Sequence, residues 1–484
     1  MRFDPEYVSQ VLSENFEDAK TLFLGPLMAI HYAHLVMLAD CGIVGQEDAH
    51  TLREALDRVS IADIQRAPFD GSCEDLFFYV ERVLTGFCGE EIGGRLHTAR
   101  SRNDVDMTMY RMRLRGHILA VAEATVELRS VLAEIAERHR QTLMAAHTHT
   151  QPAQPTTLAH YLLAVIEQLE RDSGRLRAAY ASTNRCPLGA CAITGSGFPI
   201  NRDLTSTLLG FDGPTGNTYG SIATVDYVLE SVGSITVLLV GLGRFVQDLL
   251  LWCTAEFGYL RLADGFVQAS SIMPQKRNPV ALEHARAIAS KAVAQAQSIA
   301  TVVHNTPFGD IVDTEDDLQP LVAAAFRDAV RALTLIAAAL RAADFDVARF
   351  EARAAEGGTT LTELADHLVR THHVPFSTAH TIAARLMQAR RARPDAPLGA
   401  TLSTVSGDLL GVPLQHSDSE LAQVMSPRHF VEVRTTAGGP APAETTRALR
   451  ESRQRLAADG AWLDDNRAAL ADATRTLQTR SAAL

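Results

Sequence analysis

Apolar residues recur at helical spacing along most of the chain, and the helices that this pattern predicts are long. The repeat from Ile118 to Arg140 continues over more than about five turns, beyond the usual length of a helix in a globular protein. The same spacing predicts further long helices at about 157–183, 222–260, 280–303 and 318–343. Long helices joined by segments rich in Gly, Pro, Thr and Asn indicate a helical bundle.

One of these helices carries an apolar run, Ser234–Cys253, that is nearly long enough to cross a membrane. Arg244, Gln247 and Asp248 lie within the run, and such side chains are costly in a lipid core. We therefore interpret it as a buried helix. Because it is apolar on almost every face, it should be covered on all sides, in the middle of a large bundle or at a subunit interface.

The helical pattern divides the chain into three units. Residues 1–106 mix short helical patterns with turn signals, residues 107–345 hold the long helices, and residues 346–484 return to shorter helices with Pro-rich and Gly-rich breaks. A length of 484 residues suits this number of units. The predicted fold class is all-α, with a central bundle between an N-terminal helical domain and a small C-terminal one.

Composition and charge narrow the class of partner. Hydrophobic residues make up 46% of the chain, which is typical of a soluble globular protein. The formal net charge is −12 and the sequence pI is about 5.8, whereas nucleic acids and anionic membranes attract basic surfaces. A small-molecule ligand, with no nucleic acid and no membrane, is the better expectation.

The six cysteines show no CxxC spacing, and the opening residues "MRFDPEYVSQ" contain no apolar core of a signal peptide. Reduced thiols and a cytoplasmic location are therefore expected.

Three polar segments interrupt the helical pattern: "LHTARSRND" at 96–104, "HTHTQPAQPTTLAHY" at 147–161 and "ASSIMPQKRNP" at 269–279. They lie far apart along the chain, and each borders a long helix. Their residues can meet only if the helices run past one another or if several chains associate.

The third segment places chemistry just before a helix. Asn278 is a plausible N-cap and Pro279 a plausible first helical residue. Ser270, Ser271 and Lys276 precede a helix N-terminus, whose free amides favour an anion such as a carboxylate or a serine alkoxide. The alternative is a polar lid with a solvated lysine.

The second segment sets His149 between Thr148 and Thr150 and follows it with two Gln-Pro steps, which hold the backbone extended. A lone histidine is usually structural, but this one lies in a rigid polar loop.

The first segment places Arg100 and Arg102 beside Ser101 and Asn103. Guanidinium and amide donors in one tight segment suit a dicarboxylate. A solvated charge cluster is the alternative interpretation.

Together these segments resemble the fumarase/aspartase superfamily. "SSIMPQKRNP" resembles its signature loop, and "HTARSRND" and "THTQPAQPTTLAHY" are similar to the first two conserved regions of argininosuccinate lyases. "PLGACAITGSGFPINRD" and "LLLWCTAEFGYLRLAD" resemble the same subgroup in order and spacing. The resemblance is strong over about residues 70–290 and weaker to about residue 440.

The resemblance implies a three-domain fold and a homotetramer whose central bundle takes helices from all four chains. Each active site would then draw on three chains. It further implies reversible β-elimination that releases fumarate from an N-succinyl amine or guanidine, without a metal or an organic cofactor.

Carried over residue by residue, the resemblance makes Ser270 the general base, acting as an alkoxide. Lys276 and Asn278 would hold the carboxylate that takes up charge, and His149, paired with Glu283, would support protonation of the leaving nitrogen. The remaining residues expected around the succinyl group are Thr148, Ser101, Arg102, Asn103, Gln154 and Met273.

The amine side departs from the subgroup. In an ungapped alignment Phe308, Asp313 and Asp316 stand where a tyrosine, a glutamine and a lysine hold the amino-acid end of arginine. An aspartate there repels an α-carboxylate, so arginine and a different amine both stay open. The acidic run 310–317 is either a solvated helix start or a pocket for a cationic amine. Further departures are Val280, Ala269, Gly220 and Val225.

Two other classes remain at this point. A non-catalytic relative, structural like a lens crystallin or regulatory, is disfavoured because Ser270, Thr148, His149, Lys276 and Asn278 are all intact. Adenylosuccinate lyase, or another branch of the superfamily, is disfavoured by the first two polar segments.

Overall fold

The computed structural model describes residues 3–484, and nearly all of its regular structure is helical. The α-helices between Phe3 and Leu484 are α1 Pro5–Tyr7, α2 Ser13–Leu22, α3 Leu24–Asp40, α4 Gln46–Asp57, α5 Ile61–Arg66, α6 Leu76–Cys88, α7 Glu90–Arg95, α8 Arg102–Arg138, α9 Leu158–Thr183, α10 Arg202–Leu208, α11 Thr218–Ala223, α12 Asp226–Trp252, α13 Val280–Val302, α14 Gln319–Arg341, α15 Val347–Ala355, α16 Leu361–His372, α17 Phe376–Ala392, α18 Leu398–Leu410, α19 Asp418–Val424, α20 Pro427–Glu432 and α21 Pro442–Ala482.

Short strands pair in three antiparallel ladders. A π-helical turn at Val8–Leu12 and short 3₁₀ turns at Asp264–Phe266, Val312–Thr314 and Asp316–Leu318 complete the regular structure. The strands are β1 Leu143–Thr148 with β2 Gln151–Thr157, β3 Leu260–Arg261 with β6 Asp344–Phe345, and β4 Gln268–Ala269 with β5 Arg277–Asn278.

The five predicted long helices are confirmed as α8, α9, α12, α13 and α14, which pack against one another around the largest hydrophobic core. Leu158–Thr183 and Val280–Val302 match their predicted ranges closely. The predicted range 222–260 holds α12 but overruns it, since α11 ends at Ala223 and the chain turns after Trp252.

Helix α12 is only partly covered by its own chain. It is long and apolar enough to cross a membrane by length and composition, and 44% of its most apolar window is buried. Val237 and Val240 are 46% and 53% exposed. Coverage on all sides, as the sequence predicts, therefore requires something outside this chain.

Two smaller cores flank the bundle. One joins α3, α4 and α6 with the start of α8 and with residues 186–211, and the other lies among α16, α17, α18 and α19. The domain bounds at 106 and 345 stay a prediction, and α8 runs unbroken across the first of them.

The prediction that helices shorten after residue 345 is wrong for α21, which spans 41 residues and packs back on α8 and α9. The sequence of α21 does not indicate this packing, because most of its positions are polar. Leu449 and Leu463 still enter the bundle core, and Asp459 forms a buried ion pair with Arg129.

Candidate active site

The first polar segment leads into α8 and caps it. The Ser101 N–H donates to Asp104 Oδ1 at 2.9 Å, and the Ser101 side chain accepts from the Asn103 N–H at 3.4 Å. This capping box satisfies free amides of the first helical turn. Ser101, Arg102 and Asn103 are all partly exposed, so the segment remains open to a ligand.

The two arginines of this segment face different surroundings. The Arg100 guanidinium is buried, with Nη1 2.9 Å from His31 Nδ1 and Nη2 3.3 Å from Glu81. The expectation that Arg100 helps to hold a dicarboxylate is therefore not met, because its donors point into the N-terminal core. Arg102 lies at the surface end of the segment and is partly exposed.

Carboxylates surround Arg102. Burial disfavours the charge of its guanidinium, but the neighbouring carboxylates outweigh that effect and raise its pKa. The oxygens that lie 3.2–3.8 Å from its nitrogens belong to Glu74, Asp75, Asp106 and Glu315.

These carboxyl groups are themselves perturbed. Burial, followed by the proximity of Asp310, raises the pKa of Glu315 to about 8. Burial and then the charge of Asp316 hold the pKa of Asp106 well above its usual range. A single guanidinium is therefore the cationic partner of several acidic groups, and the pKa values of Glu315 and Asp106 among them are raised.

The second polar segment forms a β-hairpin rather than an irregular loop. Strands β1 and β2 pair from Leu143 with Thr157 to Thr148 with Gln151, so His149 and Thr150 form a two-residue turn. Both have positive φ, 51° and 61°, the conformation that such a turn demands and that non-glycine residues rarely adopt. The turn thus presents His149 at an exposed tip.

The hairpin rests on the C-terminal unit. Gln154 donates through Nε2 to Thr362 Oγ1 at 3.4 Å, and α15 and α20 pack on the two strands. A cavity of about 530 Å³ beside the hairpin is lined by Thr150, Gln154, the end of α12 and Arg434. Its lining includes no residue of the other two polar segments.

The third polar segment is also a hairpin. Strand β4 pairs with β5, and the loop between them, residues 270–276, is largely exposed. Within this loop Ser270 Oγ accepts from the Met273 N–H at 3.1 Å and from the Ile272 N–H at 3.4 Å. Donors aimed at an oxygen favour its anionic form, as a serine alkoxide requires.

This geometry corrects the sequence-based account of the segment. Asn278 pairs with Gln268 in the β4–β5 ladder, which keeps its backbone extended, so it is not the N-cap of α13. Pro279 takes that position and Val280 begins the helix. The amides that reach Ser270 come from its own loop and not from the start of α13.

The other predicted residues of this segment face solvent. Lys276 is exposed, and its backbone N–H donates to the Met273 carbonyl oxygen at 3.0 Å. Met273 is 38% exposed. Glu283 is exposed in the first turn of α13.

The amine-side positions fall in two environments. Phe308 is 66% exposed, stacks on Tyr219 with ring centroids 6.0 Å apart, and accepts from the Tyr219 hydroxyl at its carbonyl. Asp313 is exposed. Asp316 instead turns inward and accepts from the Tyr110 hydroxyl at 3.0 Å.

Asp104, which joins the first polar segment to residues 187–192, is not among the residues that the sequence predicts for the site. The Ser-x-x-Asp spacing ahead of a long helix indicates a capping box, but nothing in that spacing indicates the second loop. Among residues 3–484, no group of three or more His, Cys, Asp and Glu side chains is arranged to hold a metal ion.

Comparison with known proteins adds to this geometry. Residues 28–294 match a family described as Lyase, and residues 358–432 match the family described as Argininosuccinate lyase C-terminal. The chain is similar to argininosuccinate lyase 2 of Agrobacterium fabrum, with 40% identity over 94% of this chain and 91% of that protein.

Two solved structures of EDDS lyase are similar over 99% of this chain and 96% of theirs, each with 31% sequence identity. One is a complex with formate, with a TM-score of 0.88. The other is a doubly substituted variant with bound fumarate, with a TM-score of 0.87.

Proposed function

Because the chain belongs to the argininosuccinate lyase family of the fumarase/aspartase superfamily, we propose that Ser270 is the base of its reaction and that the amine released need not be arginine. Family membership makes the protein a carbon–nitrogen lyase that releases fumarate. The relatives named argininosuccinate lyase and EDDS lyase favour a catalytic protein over a crystallin-like relative, and the match to the argininosuccinate lyase C-terminal family argues against adenylosuccinate lyase.

The observation that carries the proposal is the geometry at Ser270. Two backbone N–H groups of one exposed loop converge on its Oγ, and Lys276 lies at the other end of the same loop. A hydroxyl becomes a base only where its anion is stabilised. The loop supplies amide donors, and Lys276 supplies a positive charge on the same loop.

In the proposed reaction Ser270 removes a proton from the succinyl carbon that is β to the nitrogen and next to a carboxylate. The electrons move into that carboxylate, and Lys276 and Asn278 stabilise the dianion that forms. The carbon–nitrogen bond then breaks, His149 with Glu283 supports transfer of a proton to the leaving nitrogen, and fumarate remains. The residues proposed to hold the succinyl group are Thr148, Ser101, Arg102, Asn103, Gln154 and Met273.

We also propose a homotetramer with composite sites. The exposed residues Val237 and Val240 leave an apolar face of α12 uncovered in one chain, and an open groove of about 800 Å³ runs along α9, α12 and α13. A second chain would cover both. It would also explain why the cavity beside the His149 hairpin lacks residues from the other polar segments.

The amine partner is proposed as a cationic amine or guanidine, with arginine as one candidate. Two observations support a different amine: acidic side chains outnumber cations around Arg102 and would ionise beside a bound cation, and EDDS lyase is similar over nearly the whole chain. The six free thiols of the described chain support a reducing compartment such as the cytoplasm.

The test is fumarate release, followed by ultraviolet absorbance. Wild-type protein is given argininosuccinate, adenylosuccinate and aspartate in parallel, and fumarate plus a diamine in the reverse direction. Ser270→Ala should abolish the signal obtained with the active substrate, whereas Ser271→Ala, a matched exposed neighbour, should largely keep it. Near-normal turnover by Ser270→Ala would show that the base is another residue.

A further inference from the structure

The carboxylate of Asp104 is completely buried in the first turn of α8. It accepts three backbone hydrogen bonds, from Ser101 at 2.9 Å, Gly189 at 2.8 Å and Cys191 at 2.9 Å. The first of these is the helix cap. The other two come from a loop more than eighty residues further along the chain, so this one side chain joins two segments.

Arg202 also holds that second loop, residues 187–192, by hydrogen bonding. The Arg202 Nε donates to the Leu188 carbonyl at 3.0 Å, and Nη1 donates to the Thr215 carbonyl at 3.2 Å. Gly189 has a φ of 90°, and a Cβ there would lie 2.7 Å from Arg202 Cγ. The loop therefore depends on glycine at this position and on a fixed Arg202 side chain.

Further contacts bind the loop to the residues around Ser101. The Asn103 Nδ2 donates to the Ala192 carbonyl at 3.2 Å, and the Cys191 thiol donates to the Ala99 carbonyl at 3.2 Å. Ala99 and Cys191 have positive φ, 62° and 53°. Such conformations persist only where the surroundings hold them, and here Asp104 accepts from the Cys191 amide and from the Ser101 amide, two residues after Ala99.

We propose that Asp104 is a positioning residue: by tying residues 187–192 to the start of α8, it fixes Ser101 and Asn103 in the geometry that binds the carboxylate of fumarate. The inference rests on the proposed function. Burial raises the pKa of this carboxyl to about 6, although the three amides and Arg100 oppose the shift. Its placement therefore has a cost that a helix cap at the surface would not incur.

The inference predicts an effect on one substrate only. Asp104→Asn keeps one oxygen for the Ser101 cap but sets an NH₂ group against the Gly189 and Cys191 amides, which releases the loop. In the addition direction the KM for fumarate should rise roughly tenfold to a hundredfold, as for other small displacements of binding groups. The KM for the amine should stay unchanged, and inhibition by succinate should weaken in parallel.

Two further variants separate positioning from stability. Glu420→Ala removes the side chain that completes the capping box at the start of α19, so it should lower Tm without changing either KM. Gly189→Ala displaces the same loop from the Arg202 side and should reproduce the selective rise in KM for fumarate.

The inference is overturned if folded Asp104→Asn and Gly189→Ala bind fumarate like the wild type, or if both KM values rise together. Failure of both variants to fold would also overturn it, because Asp104 would then hold the fold rather than the loop. A wild-type protein without fumarate chemistry would instead contradict the proposed function. The two failures are therefore distinguishable.

Discussion

The carboxyl group of Glu315 lies in the protein interior, where Arg102 at 3.8 Å is the cationic partner that its side chain contacts. Asp310 and Asp316 add negative charge beside it, and the combination raises its pKa to about 8. The folded protein therefore keeps a proton on Glu315 that the unfolded chain loses near about pH 4. Between about pH 4 and about pH 8 the folded state binds more protons than the unfolded state, so this group makes the free energy of unfolding fall as pH rises.

Glu315→Gln should remove that fall, since glutamine stays neutral. The difference in Tm, variant minus wild type, should be more positive near about pH 8 than near about pH 5. Thermal unfolding at equal protein concentration measures it. Glu256→Gln, which replaces an exposed carboxylate in the turn after α12, is the control and should show a much smaller difference between the two pH values. An equal Tm shift of Glu315→Gln at both pH values would contradict the assignment.

At the residue scale, the sequence predicts which residues are candidates for the site better than it predicts the partners and burial of each side chain. The sequence around Ser101 and Asn103 predicts a ligand-binding role, and that role stays a prediction. The burial of Arg100 against His31, and of Asp316 against Tyr110, depends on residues 69 and 206 positions away. No local pattern carries that information.

At the scale of elements, two of the polar segments predicted as loops are hairpins. Their strands contain little of the alternating apolar pattern that marks a sheet surface, because each ladder has only two strands. The sequence also does not predict the tight turn at His149 and Thr150, since it lacks the Asn-Gly or Gly-Gly pair that usually marks such turns. Pairing across the ladder imposes positive φ on residues that do not favour it.

Thr150→Gly should therefore stabilise the protein. Glycine adopts a φ of 61° without strain, while a β-branched residue there costs about 1 kcal/mol or more. A rise in Tm is the expected result. Thr474→Gly, at an exposed position inside α21, is the matched control and should lower Tm because glycine weakens a helix interior. A fall in Tm for both variants would show that the turn is not strained.

At the scale of the whole molecule, the long helices and the all-α class follow from hydrophobic periodicity, and similar solved structures confirm the fold. What periodicity cannot give is the return of α21 to the bundle, since its contacts with α8 join residues far apart in sequence. Nor does it say what covers Val237 and Val240. The exposed face of α12, and the absence of the other two polar segments from the lining of the cavity beside the His149 hairpin, both support the proposal of sites shared between chains.

The most direct test of this account is complementation between two inactive variants, His149→Ala and Ser270→Ala. Each alone should form a tetramer without activity. After unfolding and refolding together in equal amounts, about one quarter of the sites should combine a wild-type His149 from one subunit with a wild-type Ser270 from another. Fumarate release should return to about that fraction. A mixture of tetramers as inactive as its parents would contradict a site assembled from different chains.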